Sequence, residues 1–389
     1  MENFTFRCAT KTIFGRETEK QVGQEVKHFS SKILLHYGSE HIKRTGLYQT
    51  VVDSLNEAGV SFIELSGVVP NPRVSLVRKG IELCRKNGID FILAVGGGSV
   101  IDSSKSISAG VPYDGDVWDF YIGKAKPQNL LPVGVVLTIP ASGSEQSDSN
   151  VITNDDGQIK GAFGHPDMRP VFCILNPELT FTLPSFQTAC GCMDIMAHTM
   201  ERYFTNSKDN SFTDRLCEAT LKTIIYNLPI ALAEPENYDA RSQIMWAGTI
   251  AHNDLVGTGR IGDWANHIIE HEISGLYDIA HGSGLAITFP AWMKYIYKHD
   301  LSRFTQFAVR VLEVEMNFEN PERTALEGIR RFEAILHEAS LKTTLSGVGI
   351  VDDRFEEMAS RCTENGSNTV GQFVKLTKQD IINIFNIAR

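Results

Sequence analysis

Residues 91–109, FILAVGGGSVIDSSKSISA, contain the pattern that best indicates the fold of this chain. Its first part, Phe91 to Val95, is an unbroken apolar run with the length of a buried strand, and Val100 to Ala109 continues as a helical pattern. Between them stands Gly96-Gly97-Gly98-Ser99, where residues without side chains let backbone N–H groups approach a phosphate. The stretch matches neither the G-x-G-x-x-G signature nor a P-loop. It predicts a nucleotide-binding turn, with a plain tight turn as the alternative.

Strand-like and helix-like runs alternate around this stretch. Two helical patterns, residues 47–58 and 74–87, separate apolar runs, which is typical of parallel strands joined by helical crossovers. The predicted strands are residues 32–37, 61–65, 91–95, 133–139 and 171–175. A second loop of small residues, Ala141 to Glu145, follows one of these runs. Two such loops at strand ends favour a nucleotide crevice, since α/β sheets bind ligands there.

After Pro184 helical periodicity dominates and strand-like runs become scarce. The helical patterns cover residues 187–204, 211–233, 240–255, 264–275 and 301–312. We therefore predict an α/β dinucleotide-binding domain with a parallel sheet over residues 1–183, and an all-α, metal-binding and substrate domain over residues 184–389.

Composition excludes several classes of protein. The 389 residues carry 37 Lys+Arg against 47 Asp+Glu, a net charge of −10 that disfavours general nucleic-acid binding. The longest strongly apolar stretch, Leu130 to Ile139, is too short to span a membrane. The N-terminus lacks the pattern of an export signal, and seven scattered cysteines fit reduced thiols. These features predict a cytoplasmic protein.

A carboxylate and several imidazoles recur at helical spacing in the second half. Asp194 and His198 are four residues apart, His267 and His271 repeat the spacing, and His281 follows ten residues later. Residues at this spacing lie on one helix face, and mixed oxygen and nitrogen ligands without cysteine suit a catalytic Fe²⁺ or Zn²⁺. Any one of these histidines could instead be a capping or surface residue.

Motifs along nearly the whole chain resemble the iron-containing (group III) alcohol dehydrogenases, most closely their NADPH-dependent butanol dehydrogenase or aldehyde reductase branch. The resemblance is carried by Gly96-Gly97-Gly98-Ser99-x-x-Asp102-x-x-Lys105, Thr138-Ile139-Pro140-Ala141-Ser142-Gly143-Ser144-Glu145, Asn176-Pro177-Glu178-Leu179-Thr180, Gly191 to Glu201, and His267 to Glu272 through His281-Gly282.

The resemblance implies a role for each matching residue. It implies the metal ligands Asp194, His198, His267 and His281, with His271 lining the site. It also implies that the cofactor is bound by Gly96, Gly97, Gly98, Ser99, Asp102 beside the nicotinamide, Thr138, Ser142, Lys160 and Leu179. His271 and Asp102 are the predicted catalytic residues; His271 is a candidate proton relay, with ligand orientation as its alternative role.

The segment after the first strand bears on the choice of cofactor. Gly38, Ser39 and Lys43 could hold a 2′-phosphate, and no aspartate stands directly at the strand end to take a ribose hydroxyl. Glu40 would disfavour a phosphate if it pointed inward. NADP(H) is therefore favoured, with NAD(H) possible.

The implied activity is hydride transfer between NADP(H) and a small primary alcohol or aldehyde of the butanol type, in a homodimer that uses Fe²⁺ or Zn²⁺. Alternatives on the same scaffold are a glycerol dehydrogenase, a hydroxyacid–oxoacid transhydrogenase, a lyase of the dehydroquinate synthase kind and a non-catalytic nucleotide-binding protein.

Overall fold

A computed structural model describes residues 1–351 and 354–389 and divides the chain into two compact units. The α/β unit comprises Arg7–Leu183 and Glu236–Asn253, and the helical unit comprises Met1–Phe6, Pro184–Pro235 and Asp254–Arg389. The predicted combination of a parallel-sheet unit with a helical C-terminal region is confirmed.

The α/β unit contains a six-stranded sheet in which every pairing is parallel. Its strands are β1 (Lys11–Phe14), β2 (Lys32–Tyr37), β3 (Ser61–Leu65), β4 (Ile92–Gly96), β5 (Val133–Leu137) and β8 (Phe172–Leu175). The strand order in the sheet is β1-β8-β5-β4-β2-β3. All residues of β4 and β5 are buried, as expected for central parallel strands covered on both faces. The order reverses between β2 and β4, and ligands bind at the carboxyl ends of strands at such a point.

Helices and one hairpin complete this unit. The hairpin strands β6 (Ser149–Asn154) and β7 (Ile159–Gly164) pair antiparallel outside the main sheet. The helices are α1 (Val22–Lys27), α2 (His41–Arg44), α3 (Leu47–Glu57), α4 (Val74–Asn87), α5 (Gly98–Gly110), α6 (Trp118–Tyr121) and α9 (Tyr238–His252). Apolar side chains from both faces of the sheet form two buried clusters.

The helix α9 differs in placement from the predicted division at residue 183. The predicted boundary would put α9 in the second domain, whereas its contacts group it with the α/β unit. Met245 joins the core cluster beneath the sheet, and the Thr249 hydroxyl donates to the Glu145 carboxylate at 2.7 Å. Although α9 follows Pro184 in the chain, it therefore packs with residues that precede Pro184.

The helical unit surrounds a core rich in aromatic side chains, among them Phe204, Trp292 and Phe304. Its helices are α7 (Ser185–Tyr203), α8 (Ser211–Ala233), α10 (Ala265–Tyr277), α11 (His281–Ile296), α12 (Leu301–Arg310), α13 (Pro321–Glu338), α14 (Phe355–Cys362) and α15 (Lys378–Ile387). Within the described ranges, no helix combines the length and the apolar character that crossing a bilayer requires.

Candidate active site

Three helices of the helical unit carry the predicted metal ligands. Asp194 and His198 lie one turn apart on α7, both buried, and Glu201 follows on the same face. His267 lies in the first turn of α10, and His281 is the first residue of α11. His281 lies outside the helices and strands predicted from the sequence; in the structure it begins a helix.

The structure brings Asp194, His267 and His281 together. One potential ligand atom from each lies within 4.8 Å of the others. The Asp194 Oδ1 atom is 3.9 Å from His267 Nε2 and 3.7 Å from His281 Nε2. A carboxylate oxygen and two imidazole nitrogens at this separation can share one cation.

Two buried atoms of this cluster lack a protein partner. Neither Asp194 Oδ1 nor His267 Nε2 has a hydrogen-bond partner among the described residues. Since buried polar atoms are normally paired, a cation between them would satisfy both. The residues therefore fit a divalent metal ion, and the oxygen and nitrogen donors suit Fe²⁺ and Zn²⁺.

The pKa values follow from burial and charge. Burial favours the neutral acid form of Asp194, yet the neighbouring imidazoles hold its pKa well below the usual value. Burial also opposes a charge on His267, but Asp194 and Glu201 raise its pKa to about 9. The cluster is thus an anionic environment that favours positive charge, whether on an imidazole or on a metal ion.

The other two predicted histidines lie beside the three-residue cluster. The His198 ring centroid is 4.6 Å from that of His267, and its Nδ1 atom is 3.1 Å from Asp194 Oδ1. His271 is half-buried, with its ring 5.6 Å from the ring of His281. Together with Glu270, His271 and His281 form a second group of potential ligand atoms within 4.8 Å.

Two carboxylates of the site are absent from the residues predicted from the sequence. Glu201 hydrogen-bonds the Nδ1 atom of His267 at 2.9 Å, and Glu270 hydrogen-bonds the Nδ1 atom of His281. Both carboxylates are almost completely buried. Helical spacing could have indicated them, because Glu201 lies seven residues after Asp194 and Glu270 three after His267.

In the α/β unit, most predicted cofactor residues gather at the carboxyl edge of the sheet. Gly38 and Ser39 follow β2, Gly97 to Ser99 follow β4, and Thr138 follows β5. The Thr138 N–H donates to the carbonyl of Gly96 at 3.1 Å. Parallel strands end at one edge, so residues far apart in the chain meet there.

The glycines of the turn pack closely against the segment that follows β5. A Cβ atom on Gly97 would come within 3.0 Å of Ile139, and one on Gly98 within 2.3 Å of the Ser142 hydroxyl. The helix α5 begins at Gly98, and no described side chain caps its N-terminus. A backbone turn without side chains and a helix N-terminus together fit the pyrophosphate of a dinucleotide.

The segment after β2 contains an ion pair between a lysine and a glutamate side chain. Lys43 and Glu40 are exposed on and beside α2, with 3.3 Å between the lysine Nζ and the carboxylate. Hydrogen bonds with Tyr37 and Glu40 raise the pKa of Lys43. Lys43 is therefore positively charged at neutral pH, but Glu40 offsets its charge.

Three remaining predicted residues have other contacts as well. The Asp102 carboxylate accepts from the Ser144 hydroxyl at 2.5 Å and from the Val151 N–H at 3.0 Å, and so fixes the second small-residue loop. Lys160 lies on β7 and donates to Asn71 at 3.1 Å. Leu179 packs against the apolar cluster on one face of the sheet.

Comparison with known proteins covers nearly the whole chain. The family model described as "Iron-containing alcohol dehydrogenase" matches residues 9–177, and "Fe-containing alcohol dehydrogenase family, C-terminal" matches residues 188–388. The chain is 44% identical over 388 residues, all of both chains, to "Probable NADH-dependent butanol dehydrogenase 1" of Bacillus subtilis. It is 33% identical, again over all of both chains, to "NADPH-dependent aldehyde reductase YqhD" of Escherichia coli.

Superposition with a solved structure agrees with the sequence comparisons. The crystal structure of NADH-dependent butanol dehydrogenase A from Thermotoga maritima superposes with a TM-score of 0.96 at 37% identity, covering 100% of this chain and 99% of that one. The resemblance seen in the motifs is thereby confirmed. The chain belongs to the iron-containing alcohol dehydrogenase family and is an alcohol dehydrogenase.

Proposed function

We propose that this enzyme transfers hydride between a nicotinamide dinucleotide and a small primary alcohol or aldehyde of the butanol type. The observation that carries the proposal is the convergence of Asp194, His267 and His281 from three helices, with two buried donor atoms that a cation would satisfy. With His198 beside them, these four side chains would hold one Fe²⁺ or Zn²⁺ ion. The names of the relatives support the substrate class.

The chain's own residues position and stabilise the reactants. When bound, the cation would stabilise negative charge that develops on the substrate oxygen, and the nicotinamide would carry the hydride. The glycine turn and the N-terminus of α5 bind the pyrophosphate. Asp102 holds the Ser142–Ser144 loop in place through the Ser144 hydroxyl.

His271 is the proposed proton relay between the substrate oxygen and solvent. It is half-buried, so it can exchange protons with water, and its ring lies 5.6 Å from that of His281. The alternative role is orientation of His281, since both rings share a group with Glu270. The two roles differ in whether the pH dependence of turnover changes when His271 is removed.

The preferred cofactor depends on Glu40. The sequence favours NADP(H) because Lys43 could hold a 2′-phosphate, but the Glu40 carboxylate lies 3.3 Å from the Lys43 ammonium and reduces its pull on a second anion. A carboxylate near the end of β2 can instead accept a hydrogen bond from a ribose hydroxyl. Relatives named for NADH and for NADPH both occur. We therefore propose that NADH is preferred and NADPH accepted.

One experiment tests activity and metal dependence together. Purified protein is analysed for bound metal and assayed for oxidation of NADH and NADPH with butanal, and for reduction of NAD⁺ and NADP⁺ with glycerol. We expect one Fe²⁺ or Zn²⁺ per chain, steady turnover of butanal, and loss of both metal and activity in His267→Ala. Full activity in His267→Ala, or in metal-stripped protein, would contradict the proposal.

A substitution at Glu40 tests the proposed preference for NADH. Glu40→Ser removes the negative charge beside Lys43 and should raise kcat/KM with NADPH relative to NADH by about tenfold, the equivalent of about 1.4 kcal/mol. The matched control is Glu57→Ser, which changes an exposed carboxylate at the end of α3. An unchanged ratio in Glu40→Ser would show that Glu40 does not face the cofactor.

The cellular setting belongs to the same proposal. We propose a homodimer in the cytoplasm, where thiols stay reduced. Size-exclusion chromatography with light scattering would give twice the mass of the chain for a dimer.

A further inference from the structure

We propose that Glu201 and Glu270 are positioning residues of the metal centre, each holding the imidazole of a neighbouring helix so that its Nε2 atom faces Asp194. The inference rests on the proposed metal-dependent function. It extends that function from the four predicted ligands to the two buried carboxylates that orient them.

Glu201 fixes His267 by two contacts to one oxygen. Its Oε1 atom accepts from the backbone N–H of His267 at 3.0 Å and from the ring Nδ1 at 2.9 Å. The carboxylate therefore anchors the first turn of α10 to α7 and fixes the ring orientation at the same time. With the proton on Nδ1, the lone pair of Nε2 is left on the side of Asp194, 3.9 Å away.

Glu270 repeats the arrangement between α10 and α11. Its Oε2 atom contacts Nδ1 of His281, while His281 Nε2 lies 3.7 Å from Asp194 Oδ1. Gly284, one turn into α11, leaves room for this carboxylate, because a Cβ atom there would lie 2.5 Å from Glu270 Oε1. Each helix thus supplies the carboxylate that holds the imidazole of the next one.

The contacts of His198 show why His267 and His281 need a carboxylate partner. His198 donates from Nδ1 to the carbonyl oxygen of Asp194, one turn earlier on its own helix, at 2.9 Å. His267 and His281 lie in the first turn of their helices, so no preceding turn offers them a carbonyl in the same way. A side chain from another helix takes its place.

Stability alone does not account for two carboxylates at this depth. Glu201 is 1% exposed and Glu270 is fully buried, and burying a carboxylate costs free energy unless a positive charge compensates it. Together with Asp194 they place three buried negative charges around one point. That charge favours a divalent cation and makes the imidazoles better ligands.

The test measures metal binding rather than turnover. Metal-free full-length protein is titrated with Co²⁺, whose visible absorption reports the ligand geometry, and the affinity is obtained by competition with a chelator. Glu201→Gln and Glu270→Gln are made separately, since each lies on a different helix and each alone tests the inference if the other variant fails to fold. Glu218→Gln is the control, because Glu218 is a buried carboxylate of the same unit that bonds Tyr203 at 3.0 Å and touches none of the predicted ligands.

We expect one Co²⁺ per chain in the wild type, about 10–100-fold weaker binding with an altered spectrum in each of the two variants, and no change in Glu218→Gln. Wild-type affinity and spectrum in both variants would overturn the inference. So would a second Co²⁺ that is lost in Glu270→Gln, which would make Glu270 a ligand in its own right. Failure of the wild type to bind any Co²⁺ would instead refute the proposed metal-dependent function.

Discussion

The buried histidine of β2 makes the stability of the α/β unit depend on pH. His36 is fully buried, with Nδ1 2.7 Å from the Leu65 carbonyl and Nε2 2.8 Å from the Ser103 hydroxyl. Nδ1 donates and Nε2 accepts, so a second proton on the ring would displace the Ser103 hydrogen bond. Burial lowers the pKa of His36 from 6.5 to about 4, although the Leu65 carbonyl acts in the opposite direction.

The sign and size of the effect follow from linkage. Between pH 6.5 and pH 4 the unfolded imidazole binds a proton that the folded one does not, so stability is present above pH 6.5 and is lost as pH falls toward 4. Since a difference of one in pKa corresponds to about 1.36 kcal/mol, the full effect is about 3.4 kcal/mol. About 2 kcal/mol of the free energy of unfolding is lost by pH 5.

The assay compares wild type with His36→Gln, which cannot titrate in this range. Urea unfolding is followed by circular dichroism at pH 7.5 and pH 5, and the loss of stability between the two is taken for each protein. Carboxylates and other histidines contribute to both proteins alike, so the difference isolates His36. The wild type should lose about 2 kcal/mol more than the variant. Equal losses in the two proteins would refute the reasoning.

Substitutions at three further positions test other parts of the structure. Gly98→Ala would bring a Cβ atom to 2.3 Å from the Ser142 hydroxyl, and displacement of the loop should weaken NADH binding about tenfold in a fluorescence titration; unchanged binding would place the cofactor elsewhere. Lys105→Met removes a buried ammonium that lies within 3.1 Å of four oxygen atoms and should lower the free energy of unfolding in urea by about 3–5 kcal/mol, which an unchanged midpoint would contradict. His271→Ala should retain its metal, but kcat should fall and the pH profile of turnover should change. A normal kcat and pH profile would refute the role of His271 as a proton relay.

Much of the fold could be predicted because long elements carry strong patterns. The helix predicted over residues 211–233 is observed as α8 with the same bounds, and the strand predicted over residues 32–37 is β2. The short edge strand β1 and the hairpin β6–β7 were missed. β1 has only four residues, half-exposed or exposed, and the hairpin contains Gly161 and Gly164 in a pattern that does not alternate clearly.

The candidate ligands could be found because helical spacing is local. Asp194 and His198 lie four residues apart on one helix, so their common face follows from the sequence alone. Their convergence with His267 and His281 depends on how three helices pack, which no local pattern specifies. The same limit applies to Glu201 and Glu270, whose partners are 66 and 11 residues away along the chain.

The position of α9 shows why a domain boundary predicted from helical periodicity in the sequence can differ from one defined by packing. Its helical pattern resembles that of the helices around it in the chain, yet its side chains bond the loop that follows β5. The His252 ring donates to the Ser142 carbonyl at 2.6 Å, and a Cβ atom on Gly143 would come within 2.6 Å of His252. Gly143 has a φ of +63°, a conformation that favours glycine, so this close approach and the loop's turn both depend on the same residue. The loop carrying Ser142 is thus held from one side by Asp102 of α5 and from the other by α9. A loop that is already fixed costs less free energy to order when a ligand binds, so under the proposed role of Ser142 in cofactor binding the helix α9 would increase cofactor affinity.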